Sequence, residues 1–91
     1  MESSPNPSES DELLAIDIDK TGRYFATGGL MGIARIYDYQ NGQFLTDCRA
    51  HSNAILSLKF SPDGKQIVTT GQDGLIAIWN VFLWIWNYYS W

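Results

Sequence analysis

The sequence has few of the residues that build metal sites, disulfides and nucleic-acid surfaces. Its 91 residues include one cysteine, Cys48, and one histidine, too few for a structural zinc site or an internal disulfide. Six Lys and Arg stand against ten Asp and Glu, for a formal net charge of −4. Because phosphate backbones favour clustered basic side chains, this composition argues against nucleic acid as a partner. No cofactor is expected, and a free thiol fits a reducing compartment.

The first twelve residues lack any apolar run. Residues 1–4 are polar and acidic, where a signal peptide would be basic and then apolar. Residues 1–12 as a whole are rich in Ser, Pro, Glu and Asp, a composition that cannot bury enough surface to offset the entropy of ordering. We therefore predict a disordered acidic tail over residues 1–12 on an intracellular, cytoplasmic protein.

Helical periodicity is also missing, and alternation takes its place from Leu13 onward. Leu14, Ile16 and Ile18 share one face of a period-two pattern, which is typical of a half-buried strand. Asn41-Gly42 and Asp73-Gly74 are strong hairpin-turn pairs between further apolar runs. The body of the chain is predicted to be all-β.

Two features that could carry chemistry have simpler explanations. Asp17 and Asp19 lie on the polar face of the first strand, where paired carboxylates are more often solvated than catalytic. The glycine cluster at residues 28–32 lacks both the Gly-Lys-Ser/Thr and the GxGxxG spacing of phosphate-binding loops. We predict tight turning there and no enzymatic activity.

The chain repeats itself. Setting Gly22 on Gly64, a shift of 64 − 22 = 42, aligns Thr27 with Thr69 and Tyr37 with Trp79 without a gap. A period of about 40 to 45 residues with four strands per unit is typical of propeller blades. The repeat divides residues 13–80 into units at 13–49 and 50–80.

The second unit resembles the WD-repeat β-propeller family. Ala50-His51 stands where the family has Gly-His, residues 61–64 (Ser-Pro-Asp-Gly) form its usual first turn, and residues 78–80 (Ile-Trp-Asn) stand for its terminal Trp-Asp. The resemblance implies two four-stranded antiparallel blades, part of a larger propeller. It covers residues 13–80, most of the chain.

The resemblance also implies a structural hydrogen-bond network in the second blade, formed by His51, Thr69, Asp73 and Trp79. The first unit departs from this pattern, because Met31 replaces the turn Asp and Tyr37 replaces Trp. Its network is therefore predicted to be absent. Ordinary apolar packing is expected to hold it, through Ile16, Ile18, Phe25 and Ile36.

Residues 81–91 form an aromatic hydrophobic tail that does not match the family pattern. They have no turn residue before Asn87 and contain three of the four tryptophans, so the second blade is expected to lack a regular fourth strand. Three interpretations stay open: an interfacial aromatic membrane anchor, a strand that pairs with a partner's edge, and a segment unrelated to the family. The candidate contact residues of an interaction tail are Phe82, Trp84, Trp86 and Trp91.

The function that follows is a non-catalytic protein-protein interaction scaffold. Repeat architectures need about three units before neighbours bury each other's faces, so two blades require further blades or another chain as partner. The chain is interpreted as a fragment or short isoform of a longer WD-repeat protein. The chain is similar to the final blades of cilia- and flagella-associated WD-repeat proteins at Thr27-Gly28-Gly29, Asp38-Tyr39, Gly42 and His51-Ser52. This similarity implies an axonemal scaffold near microtubule proteins. The alternative is a membrane-peripheral peptide anchored by the aromatic tail.

Overall fold

The computed structural model describes residues 11–81 and 85–90, and within these ranges the chain is made of strands joined by turns, with no helix. The all-β prediction is confirmed. The strands are β1 Leu13–Ile18, β2 Tyr24–Gly29, β3 Ile33–Asp38, β4 Phe44–Arg49, β5 Ile55–Phe60, β6 Gln66–Gly71, β7 Leu75–Asn80 and β8 Ile85–Ser90.

The strands form two antiparallel meanders, in the orders β1-β2-β3-β4 and β5-β6-β7-β8. Each sheet is a simple succession of hairpins, as expected for two four-stranded blades. The Asn41-Gly42 and Asp73-Gly74 turns lie where they were predicted, with φ of 73° at Gly42 and 81° at Gly74. Glycine reaches such positive φ without a steric penalty.

The repeat seen in the sequence is also a repeat of structure. The first three strands of the two sheets start 42 residues apart (55 − 13, 66 − 24 and 75 − 33), and the fourth strands start 41 apart (85 − 44). The register of β1 against β2 shifts between Leu13 and Ala15, and that of β5 against β6 shifts between Ile55 and Ser57. The two irregularities occupy equivalent positions, so each sheet is one copy of the same unit.

The fourth strand of the second sheet corrects the expectation that this blade lacks one. The backbone of Ile85–Ser90 pairs antiparallel with Leu75–Asn80, with Trp86 opposite Trp79. The segment lacks the turn residues by which strands are recognised in a sequence. Its aromatic and β-branched residues nevertheless have high strand propensity, and the edge of β7 offers unpaired backbone groups to them.

The core lies between the two sheets, where β5 packs against β1 and β2. Gly28 of β2 permits this approach, because a Cβ at that position would stand 2.8 Å from Cγ2 of Ile55. A single cluster of buried side chains spans both sheets and contains Ala26, Ala34, Ile36, Ala50, Ile55, Leu58, Ile67, Ala77, Trp79 and Val81.

The expected packing of the first sheet is only partly present. Ile36 is fully buried, but Ile16 and Ile18 are 64% and 49% exposed. Phe25 is half-buried and stacks on Tyr37 with ring centroids 4.9 Å apart. The reason is orientation: Asp17 faces the second sheet, so its neighbours on β1 point away from it.

Candidate functional site

Three of the four expected network residues are in direct contact. Nδ1 of His51 lies 3.0 and 3.2 Å from the two carboxylate oxygens of Asp73, and its Nε2 lies 2.7 Å from Oγ1 of Thr69. Because a carboxylate only accepts, Nδ1 of His51 carries the hydrogen. In the neutral ring Nε2 then accepts from the Thr69 hydroxyl. Both nitrogen atoms of the imidazole are thus engaged.

Asp73 holds the loop before β5 as well as its own turn. Its carboxylate accepts from the backbone N–H of Ser52 at 2.9 Å and of Leu75 at 3.1 Å. Burial raises the pKa of Asp73, but the hydrogen bonds from Ser52, Leu75 and His51 outweigh this effect, so its pKa lies below the ordinary value. The carboxylate is therefore held in its charged form.

The backbone at Gly71 makes space for the imidazole. A Cβ there would lie 2.6 Å from Nδ1 of His51 and 2.8 Å from Oδ1 of Asp73. Any side chain at this position would displace the ring from its carboxylate partner. The glycine two residues before the turn aspartate is thus part of the site, although the sequence analysis did not single it out.

Trp79 lies on the same sheet face as Thr69. Thr69 is opposite Ala77 and Ile67 is opposite Trp79 in the β6–β7 register, and Trp79 is only 1% exposed. The indole therefore belongs to the core that backs the His51 site.

The aromatic tail can be placed only in part. Phe82, Trp84 and Trp91 lie outside the described residues. Trp86 is on β8, where its backbone stands opposite Trp79. The backbone of Ile85–Ser90 is used by the second sheet, and the expected interaction role of the four residues stays a prediction.

The first sheet has an ion pair that the sequence analysis missed. Nη1 of Arg35 lies 2.6 Å from Oδ2 of Asp11, and both side chains are only 2% exposed. Asp11 Oδ1 also accepts from the backbone of Met31 at 3.1 Å. This corrects the end of the predicted disordered tail, since Asp11 anchors the start of the first sheet; residues 1–10 of that prediction lie outside the described residues. A charged residue between Ala34 and Ile36 in an apolar strand was the available signal, because a buried arginine requires an acidic partner.

Asp17 and Asp19 were expected to be solvated, and this expectation is wrong. Oδ2 of Asp17 accepts from the backbone N–H of Phe60 at 2.7 Å, which joins β1 to β5. Asp19 is 1% exposed, and its carboxylate binds the Thr21 hydroxyl. A Cβ on Gly64 would overlap its Oδ1. Both carboxylates therefore serve the junction between the sheets.

An open depression lies beside the His51 network. Its volume is about 600 Å³, and its lining combines apolar, basic and hydroxyl side chains. Asp73 and His51 form its floor while Ser52 is exposed at its rim. The lining residues are Met31, Arg49, Ala50, His51, Ser52, Asp73 and Leu75.

Among residues 11–81 and 85–90, no three His, Cys, Asp or Glu side chains come together in a way that could hold a metal ion. Nor do these residues include a helix with the length and hydropathy needed to cross a membrane.

Known proteins match both the sequence and the architecture. The family model of the WD domain, G-beta repeat, matches residues 42–80. The chain is 36% identical over 67 residues to a WD repeat-containing protein 91 homolog of Dictyostelium discoideum. The aligned region covers 74% of the chain and 9% of that protein. It is 33% identical over 73 residues to cilia- and flagella-associated protein 52 of Chlamydomonas reinhardtii. That aligned region covers 80% of the chain and 12% of the relative.

The fold comparison agrees. A solved structure of U3-55K superposes with a TM-score of 0.88 and 25% identity, over 94% of this chain and 27% of that one. The chain thus spans about a tenth of the curated relatives' length and about a quarter of the solved chain. Two four-stranded meanders, a 42-residue repeat and these matches together show that the chain belongs to the WD-repeat β-propeller family.

Proposed function

We propose that the chain is a non-catalytic scaffold for protein-protein contacts. The observation that carries this proposal is the engagement of both ring nitrogens of His51, the one histidine, by Asp73 and Thr69. The Thr69 hydroxyl that this histidine contacts is 0% exposed, so no substrate reaches it and the set cannot act as a nucleophile with its base, as a catalytic triad does. Apolar side chains such as Ile16, meanwhile, are exposed on the sheets, and surfaces of that kind favour protein partners.

The depression beside His51 is the proposed contact surface of the loops. Its rigid floor is fixed by the Asp73 hydrogen bonds, while Met31 and Ser52 are exposed around it. Binding residues are often carried on loops held by a rigid scaffold. A partner segment with apolar and polar groups would match this lining.

Proximity labelling in cells tests the scaffold role. We expect a reproducible set of neighbouring proteins around the intact chain, reduced by Met31→Asp at the depression. Gln66→Asp, an exposed change on β6, is the matched control and should leave the set unchanged. A labelled set identical for Met31→Asp and the intact chain would remove the depression as a contact surface.

A catalytic role gives a different result. A hydrolase that used Asp17 and Asp19 would lose activity in Asp17→Asn and Asp19→Asn. We expect the intact chain to show no turnover with ester, amide or glycoside substrates. Turnover that disappears in Asp17→Asn would contradict the scaffold proposal.

The finer proposal is a scaffold in the ciliary or flagellar axoneme, beside microtubule proteins. It is supported by the similarity to cilia- and flagella-associated protein 52. A relative with comparable identity, the WD repeat-containing protein 91 homolog, carries no such name. Immunoblotting of isolated axonemes tests the location, and absence of the protein from them would contradict it.

The alternative of a membrane-peripheral peptide depends on the aromatic tail. Anchoring would require Ile85–Ser90 to leave its pairing with β7. Flotation with anionic liposomes compares the intact chain with a chain that ends at Asn80. We expect neither to float, and flotation of the intact chain alone would favour the anchor.

A further inference from the structure

Each sheet has one face that the other sheet does not cover. On the first sheet this face carries Ile16 and Ile18, which are 64% and 49% exposed. The strand register extends it from Ile18 to Phe25 and then to Tyr37. We call these four residues the leading face.

The repeat shows what a leading face does when it is covered. Counting 42 residues onward from the leading face gives Leu58, Phe60, Ile67 and Trp79. Leu58, Ile67 and Trp79 are at most 2% exposed and lie in the core cluster shared with the first sheet. The same surface is therefore an interface in the second sheet and exposed in the first.

The second sheet has the opposite open face. Lys59, Val68 and Ile78 are aligned across β5, β6 and β7, and Val68 is 36% exposed. We call these three residues the trailing face. Their equivalents 42 residues earlier are Asp17, Ala26 and Ile36, the surface that the first sheet presents to the second.

We propose that a second copy of this chain docks its trailing face on the leading face, so that copies assemble head to tail. This rests on the proposed function, since it names one protein partner of a scaffold. Each chain carries both faces of an interface that is already formed once between its own two sheets. Docking of a second copy repeats that interface. A pairing of two different faces is heterologous and ends in a closed ring or an open fibre. Rings of roughly two to four copies contain the four to eight blades typical of propellers.

The sizes of the side chains agree with this pairing. Within the chain, the large Phe60 and Trp79 belong to the face that meets small residues such as Ala26. Between copies, Ile18 and Tyr37 take the places of the larger Phe60 and Trp79. They would meet Val68, which takes the place of the smaller Ala26. The smaller leading-face residues leave room for Val68, and Phe25, which is larger than its equivalent Ile67, fills part of that room.

One polar contact differs between the two interfaces. Asp17 accepts from the backbone N–H of Phe60 within the chain. The equivalent pair between copies is Lys59 and Ile18, and an ammonium cannot accept a hydrogen bond. Association of copies is therefore weaker than contact of the sheets within a chain. Lys59→Asp supplies the missing acceptor. It should tighten the association between copies about tenfold, the effect of one hydrogen bond to a charged group.

Light scattering on the purified intact chain, at concentrations up to about 0.1 mM, tests the proposal. We expect concentration-dependent association, tightened by Lys59→Asp and not by Lys65→Asp, the same charge change at an exposed position away from the trailing face. Ile16→Glu and Val68→Glu each alter an exposed residue outside the core and should each give folded monomers by circular dichroism.

The decisive sample is a mixture of Ile16→Glu and Val68→Glu chains. Each retains one intact face, so head-to-tail docking predicts a one-to-one complex that neither forms alone. A mixture that stays monomeric, or association that only Ile16→Glu disrupts, overturns the proposal. A monomeric intact chain also overturns it, and leaves the scaffold role to be decided by the labelling experiment.

Discussion

His51 and Asp73 are 22 residues apart in sequence, and their contact fastens the loop before β5 to the turn before β7. Thr69 completes the chain of hydrogen bonds at 2.7 Å. His51 and Thr69 are buried against the core around Trp79, while Asp73 is partly exposed at the depression. Removing Asp73 or His51 leaves a buried polar group of His51 or Thr69 without its partner, which costs more than the bond itself.

We therefore expect His51→Ala and Asp73→Ala each to lower the free energy of unfolding by about 1 to 3 kcal/mol. The double variant should lose little more than the worse single variant, because both break one connected network. Urea denaturation measures the three values, with Ser52→Ala as the control, since Ser52 contributes its backbone N–H to Asp73. Fully additive losses would mean that the two residues act separately.

The charge of Asp73 makes this stabilisation depend on pH. The pKa of Asp73 is lower in the folded chain than its ordinary value. The stability that its charged form contributes is therefore complete above the pKa of the unfolded chain and is lost as pH falls through the pKa of the folded chain. Between about pH 5 and pH 2, Asp73→Asn should lose less stability than the intact chain. Asp47→Asn, an exposed carboxylate of β4, is the control. Parallel stability curves for Asp73→Asn and the intact chain would contradict the prediction.

At the scale of strands and sheets, the junction depends on close approach of β2 and β5. Gly28 lies against Ile55, and its repeat equivalent on the open side of the second sheet is Thr70. A bare glycine is thus found where two sheets meet and a larger residue where a face is open. The two sheets are copies of one unit, but their strands differ according to what covers them.

Gly28→Thr should destabilise the chain by about 1 to 3 kcal/mol, because its new Cβ overlaps Ile55. Ile55→Ala removes the overlapping Cγ2 atom. The loss of stability in the double variant should therefore be smaller than the sum of the losses in the two single variants. Thermal unfolding followed by circular dichroism gives the comparison. Thr70→Gly is the control on the open face, with an expected loss of about 0.5 to 1 kcal/mol from chain entropy. Equal stability of Gly28→Thr and the intact chain would show that the sheets can separate at this contact.

At the scale of the whole molecule, one core cluster joins both sheets, so the chain should unfold in a single transition. All four tryptophans lie at position 79 or later, and their fluorescence therefore reports the second half of the chain. Circular dichroism reports both sheets.

Arg35→Ala, in the first sheet, tests this coupling. It leaves the Asp11 carboxylate buried without its partner, which should cost about 3 to 5 kcal/mol. The same shift should be seen by tryptophan fluorescence and by circular dichroism in urea. Adding Asp11→Asn, which copies the second sheet's Asn53 and Ala77 at both positions, should recover part of the loss. A fluorescence transition that Arg35→Ala leaves in place would show that the sheets unfold independently.

The sequence by itself determined the local features and their repetition. Positive-φ glycines such as Gly42 and Gly74 set the turns, alternation set the strands between them, and the 42-residue repeat set the two units. Each of these depends on neighbours along the chain, where steric limits on φ and ψ act directly.

The tertiary structure alone decided which groups are covered. Period two separates the faces of β1 but does not say which face meets another sheet, so Ile16 is exposed while Asp17 is bound to Phe60. The Asp11–Arg35 pair joins positions 24 residues apart, and β8 forms because β7 offers an open edge. Burial depends on two surfaces that come together, and the residue pattern of one strand does not specify which surface will pack against it.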